Sequence, residues 1–408
     1  MPRASVSRLL WCFSASVTVL TLSLAAPGAS AAPHAAGKGP DLAKGVAFLV
    51  SPRNLIDGHY YQSFPRTADF GLTIDSALAL AATGDNNQAL KKITGFMASA
   101  SKDASGKSVN YWTAIGTKFA NGGSLAKEAL LAEVVGANPR DFGGRDLISA
   151  LDAAVCASAP ASHTGSCPAL GAYRNSASVF DQALGIIAQV RAGQLRQAGK
   201  PIGYLESLQN SDGSFPSLVP SNFDSDVDST AMAAMALALV PGGATQADAR
   251  GGLAWIARQQ ASSGGFRGVG AISINSTGLA IQALSLEKSH YRRAIGAALA
   301  FLAREQNADG GFNADARAQA GRADSDIRAS AQAVGGATGI SFGVLTRDVV
   351  QASPSRQPSG GTDWIWLVAA VLAIVALGLG AGLVLRRRKA AQHQLARESV
   401  PAPDQVRS

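Results

Sequence analysis

Few residues in this chain have the types and spacing to do chemistry. Asp226 and Asp228 stand two apart in Asp226-Val227-Asp228-Ser229-Thr230-Ala231, just before an Ala-rich apolar run. In purely structural terms Asp226 caps the helix that follows, and Asp228 lies in its first turn, where the helix dipole favours an acid. Cys156 and Cys167 bracket the ten residues ASAPASHTGS. In an exported protein such a pair reads as a disulfide, with a metal site that includes His163 as the minor alternative. His59, in Asp57-Gly58-His59-Tyr60-Tyr61, is a weak candidate by itself, and His290 sits in a turn. Nothing in the sequence calls for a metal or a cofactor.

These residues are positioned by a repeat. Six Ala-rich helix starts align at Thr73, Ser124, Ser178, Asp226, Ser273 and Asp326, with spacings of 51, 54, 48, 47 and 53 residues. All six are helix-capping types, and the next residue is always aliphatic. The sixth column is mostly small: Leu78, Ala129, Ala183, Ala231, Gly278 and Ala331. A second, amphipathic helix lies between successive starts, clearest at residues 252–260 and 291–306. Each unit is then a helical hairpin, and a period near fifty residues marks a repeat architecture. The expectation is an all-α fold: a six-hairpin α6/α6 ring over residues 40–345, apolar helices inside. The alternative is an open solenoid, which would need polar caps at both ends.

Three turns share one pattern in register. They are Leu205-x3-Gln209-x3-Gly213-x-Phe215, Ile256-x3-Gln260-x3-Gly264-x-Phe266 and Leu302-x3-Gln306-x3-Gly310-x-Phe312. A Gln near the end of an outer helix can bond backbone in the next turn while the aromatic packs on it. The pattern resembles the QW repeat of squalene and hopene cyclases, with Phe for Trp, and residues 226–231 are similar to their DxDDTA acid motif. The resemblance covers roughly residues 40–345. It implies the α/α toroid of terpene cyclases, prenyltransferase β-subunits, complement-like thioester domains and cobalamin carriers. It also implies Asp228 as a candidate proton donor with Asp226 beside it, although Ser229 stands where the motif's last Asp belongs. The Cys of the prenyltransferase zinc site is missing, as is the GCGEQ thioester sequence. His59 and Tyr60 allow a polysaccharide-lyase-like reading.

Closing the ring should gather the first turns of the inner helices at one mouth. That mouth would hold Asp75, Lys127, Glu128, Phe180, Gln182, Asp228, Asn275 and Arg328. Helix N-termini there favour anionic or carbonyl groups, and a concave mixed pocket is the default ligand site. The sequence thus favours binding of a small ligand, hydrophobic or cobalamin-like, over catalysis. An enzyme of the cyclase-like or lyase-like class is the alternative.

The ends suggest an address. Residues 1–31 read as a secretory signal, with Arg3 and Arg8 before an apolar stretch and Ala29-Ser30-Ala31 as the cleavage site. Residues 346–363 form a Pro/Ser/Gly linker. Residues 364–385 run for 22 positions without a charge, followed by Arg386-Arg387-Arg388-Lys389. A transmembrane helix with its basic tail (386–408) in the cytoplasm gives a type I, single-pass membrane protein with the ring outside. The net charge of +8 comes mainly from these ends, +2 from the leader and +4 from residues 386–408. No nucleic-acid partner is expected.

Overall fold

The computed structural model describes residues 39–158, 166–219, 224–268, 270–316 and 325–350. The leader, the apolar stretch 364–385, the basic tail and His163 lie outside the described residues. Among the described residues no helix is long and apolar enough to cross a membrane.

In chain order the α-helices among them are α1 (Leu42–Leu49), α2 (Phe70–Thr83), α3 (Asn87–Ala98), α4 (Val109–Thr113), α5 (Gly122–Val134), α6 (Leu147–Ala153) and α7 (Val179–Arg191). They continue with α8 (Gly199–Ser207), α9 (Val227–Leu237), α10 (Gly243–Arg258), α11 (Ile274–Leu284), α12 (Arg292–Glu305) and α13 (Ile327–Ala337). Two antiparallel pairs, Gln62–Phe64 with Thr67–Ala68 and Phe266–Arg267 with Ile272–Ser273, precede α2 and α11.

The inner helices α2, α5, α7, α9, α11 and α13 each pack on two inner neighbours, and α13 returns to α2. The ring is closed, as expected over the open solenoid. Alanine and glycine make the closure possible. A Cβ on Gly336 would stand 2.4 Å from Gly278 Cα, so α11 and α13 meet backbone to backbone. Inner helices are buried nearly all round; in α9 every residue but Asp228 is buried. Outer helices bury one stripe, as α12 does with Ile295, Ala298, Phe301 and Leu302.

Each inner helix is capped by a side chain that accepts from the third N–H beyond it. The caps are Asp69, Asn121, Ser178, Asp226, Ser273 and Asp326. Each contributes about 1 kcal/mol. Two differ from expectation: the first two helices start at Asp69 and Asn121 rather than Thr73 and Ser124. Thr73 instead accepts the N–H of Tyr61 at 3.0 Å and donates to the Asp69 carbonyl. Thr230, Thr277 and Ser330 do the same for Phe215, Phe266 and Phe312.

The three Gln turns form the clamp their pattern implies. Each Gln Nε2 donates to its own turn's glycine carbonyl and to the next outer helix: Gln209 to Asp248 O (2.8 Å), Gln260 to Ala294 O (2.8 Å). Gln306 reaches Asp41 O (2.8 Å), the cap of α1, so the same joint closes the ring. Past α13 the chain forms a strap, residues 338–350, under the C-terminal ends of the inner helices. Ile340 O accepts from Gln282, Phe342 and Gly343 carbonyls accept from Arg191, and Arg347 N donates to Val134 O.

Candidate functional site

A pocket partly open to solvent lies between the inner helices. Leu78, Leu184 and Leu279 supply apolar wall, Phe180 and Phe342 supply aromatic surface, and Gln282 and Gln332 add amides. Two charged side chains line it, Asp75 and Lys127. Their helices explain their depth. Each stands six residues past its cap, on α2 and α5, so the earlier helix starts carry both a full turn further into the ring.

Lys127 Nζ meets Asp75 Oδ1 at 2.7 Å, with side chains only 15% and 10% exposed. Arg328, two residues past the cap of α13, gives Nη1 to Asp75 Oδ2 at 2.9 Å and Nη2 to Asp69 Oδ2 at 3.2 Å. The result is one continuous chain, Lys127–Asp75–Arg328–Asp69. Breaking such a largely buried pair by removing one partner typically costs about 3–5 kcal/mol, far more than the pair contributes. Asp181 stands beside Lys127; burial raises its pKa, and Ser178 and Lys127 oppose the rise.

Of the residues expected at the mouth, Asp75, Lys127 and Phe180 line the pocket, and Arg328 joins it through Asp75. Glu128 and Gln182 do not. Glu128 faces the α3–α4 side, fully buried. Gln182 bonds the carbonyls of Gly171 and Pro201 and accepts from Tyr173 N, which fixes the turn before α7. Asp228 and Asn275 lie in the first turns of α9 and α11, outside the pocket lining, and each keeps a buried Oδ1 without a partner. Burial pushes the Asp228 pKa up to about 6, against a hydrogen bond with Ser276 and with a small further rise from Asp226. Asp226 spends its side chain on the cap, accepting from Ser229 N.

Gln282, Gln332 and Phe342 were not among the expected residues. The two glutamines are the long polar side chains beyond the first turn of otherwise small, apolar helices, which is a usable signal; Phe342 lies in the strap, which has no periodicity. Cys156 and Cys167 are bonded to each other, so neither offers a thiolate to a metal, and the described residues hold no group of three metal-capable side chains.

The family model of the prenyltransferase alpha-alpha toroid domain matches residues 162–266 and 242–350. Among solved structures, the apo type II terpene cyclase MstE from Scytonema is similar, with a TM-score of 0.53 and 18% identity over 73% of this chain and 96% of that one. A glycosidase variant in complex with glucose is similar too, with a TM-score of 0.52 and 14% identity over 74% and 98%. At these identities the likeness establishes the fold. No curated protein matches the chain.

Proposed function

We propose that this chain, whose fold is the α/α toroid, is an exported, membrane-anchored protein whose ring holds a small amphipathic molecule. The observation that carries this reading is the pocket itself: apolar and aromatic walls, two amides and one ion pair at one side. Its one acid, Asp75, has both oxygens occupied by Lys127 and Arg328. Glycoside hydrolysis asks for two carboxyl groups across the scissile bond, and alkene protonation asks for a protonated acid facing the substrate. The pocket lining offers neither. Native mass spectrometry of the protein purified from its own source tests the proposal. A retained small molecule is expected; a bare polypeptide mass in every preparation argues against it.

Export and anchoring rest on residues 1–31, the uncharged stretch 364–385 and the basic cluster after it. Protease added to intact cells is expected to remove the ring and spare the tail; full protection would refute the orientation.

A second reading, an acid-driven cyclase, is favoured by Asp228, whose pKa is pushed up to about 6 and whose Oδ1 has no partner. Cyclisation of a linear isoprenoid that disappears in Asp228→Asn would establish it over binding alone.

A further inference from the structure

Charge balance inside the ring narrows the ligand. Among the described residues Lys127 is the one cation lining the pocket, and Asp75 already matches it at 2.7 Å. Arg328, the next cation, is held by Asp75 and Asp69. Two carboxylates thus face two cations, and Asp181 adds a third acid beside Lys127. No positive charge is left over for a guest. Among the amides, Gln332 keeps a buried Oε1 with no hydrogen-bond partner, while the Gln282 NH2 is taken by the strap carbonyl of Ile340.

We infer that the pocket selects an uncharged or cationic amphiphile that brings hydrogen-bond donors, an alcohol or an amine, and rejects carboxylates and phosphate esters. This rests on the binding reading above and adds the chemical class of its ligand.

The reasoning is electrostatic. An anion entering the pocket has two routes. It can displace Asp75 from Lys127, which strands a buried carboxylate, or it can sit as an unmatched charge against apolar walls; both are costly. A hydroxyl carries no charge to match and supplies the proton that Gln332 Oε1 lacks. An ammonium gains attraction from Asp181, the acid in excess beside Lys127. Discrimination against the anion therefore comes from the absence of spare positive charge, not from a steric block. One change should invert it. Asp75→Asn keeps the side chain's size but frees Lys127 from its ion pair, with only Asp181 still beside it, and leaves Arg328 with Asp69 alone.

The test uses four probes of one chain length: decanol, decylamine, decanoate and decyl phosphate. Each is titrated at neutral pH into the full-length protein in lipid nanodiscs, with binding read by calorimetry. Partition into lipid is common to wild type and variant and cancels between them. Wild type is expected to bind decanol and decylamine, with decanoate and decyl phosphate at least about tenfold weaker. In Asp75→Asn the two anions are expected to gain at least about tenfold, and decanol to change little. Decanoate or decyl phosphate binding to wild type as tightly as decanol would overturn the inference and leave pocket binding standing. No binding of any probe to either protein would overturn both. Where circular dichroism shows that Asp75→Asn is unfolded, Lys127→Gln takes its place. It removes the lining cation, so decylamine should bind several-fold tighter and decanoate weaker than in wild type; an unchanged ranking refutes the inference.

Discussion

Glu128→Gln is expected to stabilise this protein, and to do so more as pH rises. Glu128 is 0% exposed, and neither carboxyl oxygen has a hydrogen-bond partner. Burial alone pushes its pKa from 4.5 up to about 8. Below the unfolded value the group is protonated in both states, and its contribution is at its most favourable. Between the unfolded and folded values only the unfolded chain releases the proton, so stability falls by about 1.4 kcal/mol per pH unit. Above the folded value both states are ionised and the loss is complete. From pH 4.5 to neutrality the wild type therefore loses roughly 3 kcal/mol through this one group. Glutamine has the same shape and does not titrate. Its NH2 also has a candidate acceptor: Asn110 Oδ1 is unpartnered, and it and Glu128 Oε1 lie 3.3 and 3.4 Å from where a Cβ on Gly143 would stand. Glu128→Gln should add roughly 2–3 kcal/mol at neutral pH, more in alkali, and almost nothing near pH 4. Urea unfolding at acid, neutral and alkaline pH measures this, provided the m-values match. A gain that does not grow with pH would refute the reasoning.

Gly264→Ala should cost about 3 kcal/mol or more, because its Cβ would meet Ala297 O at 2.4 Å on top of a φ of +93°. Gly116→Ala, at φ +80° with open space around it, isolates the backbone part and should cost about 1–2 kcal/mol; equal costs in urea unfolding would show that the close approach is not there. Thiol titration of the denatured, unreduced protein from which the leader has been removed should find no free thiol, and serine at Cys156 and Cys167 should cost roughly 2–3 kcal/mol. Asp228→Asn should stabilise by about 1–3 kcal/mol above pH 6, with no gain below pH 4, since burial raises the folded pKa of Asp228 to about 6. An Asp228→Asn protein that loses stability at alkaline pH would mean that Oδ1 of the carboxylate has a partner.

The ring was legible because its joints repeat the same residues at the same offsets. Gln209, Gln260 and Gln306 differ in neighbours but not in register, and all three make the same two bonds. The helix starts were legible for α7, α9, α11 and α13. For α2 and α5 the true caps precede Phe70-Gly71 and Gly122-Gly123, and glycine in a first turn reads as loop. Thr73 and Ser124, good caps by type, stood where the apolar run begins. That misplacement hid the depth of Asp75 and Lys127. The rest of the pocket was not legible for a different reason. Which face of α11 or α13 points inward depends on how the neighbouring helices pack, and a buried alanine-rich helix has no polar face to betray it. Glu128 shows the same limit, since one residue beyond Lys127 the helix turns the side chain out of the ring.

The clamp at Gln306 also sets how the molecule comes together in time. The joints from Gln209 to Asp248 and from Gln260 to Ala294 span 39 and 34 residues, whereas Gln306 to Asp41 spans 265. Three joints identical in chemistry therefore differ in the chain entropy lost when each forms, by roughly 1–2 kcal/mol for the last. Growth from the amino terminus leaves α1 waiting through the synthesis of almost the whole ring. The seam between α1 and α12 can form only once α12 has been made, late in synthesis, as can the contact of α13 with α2 that closes the inner ring.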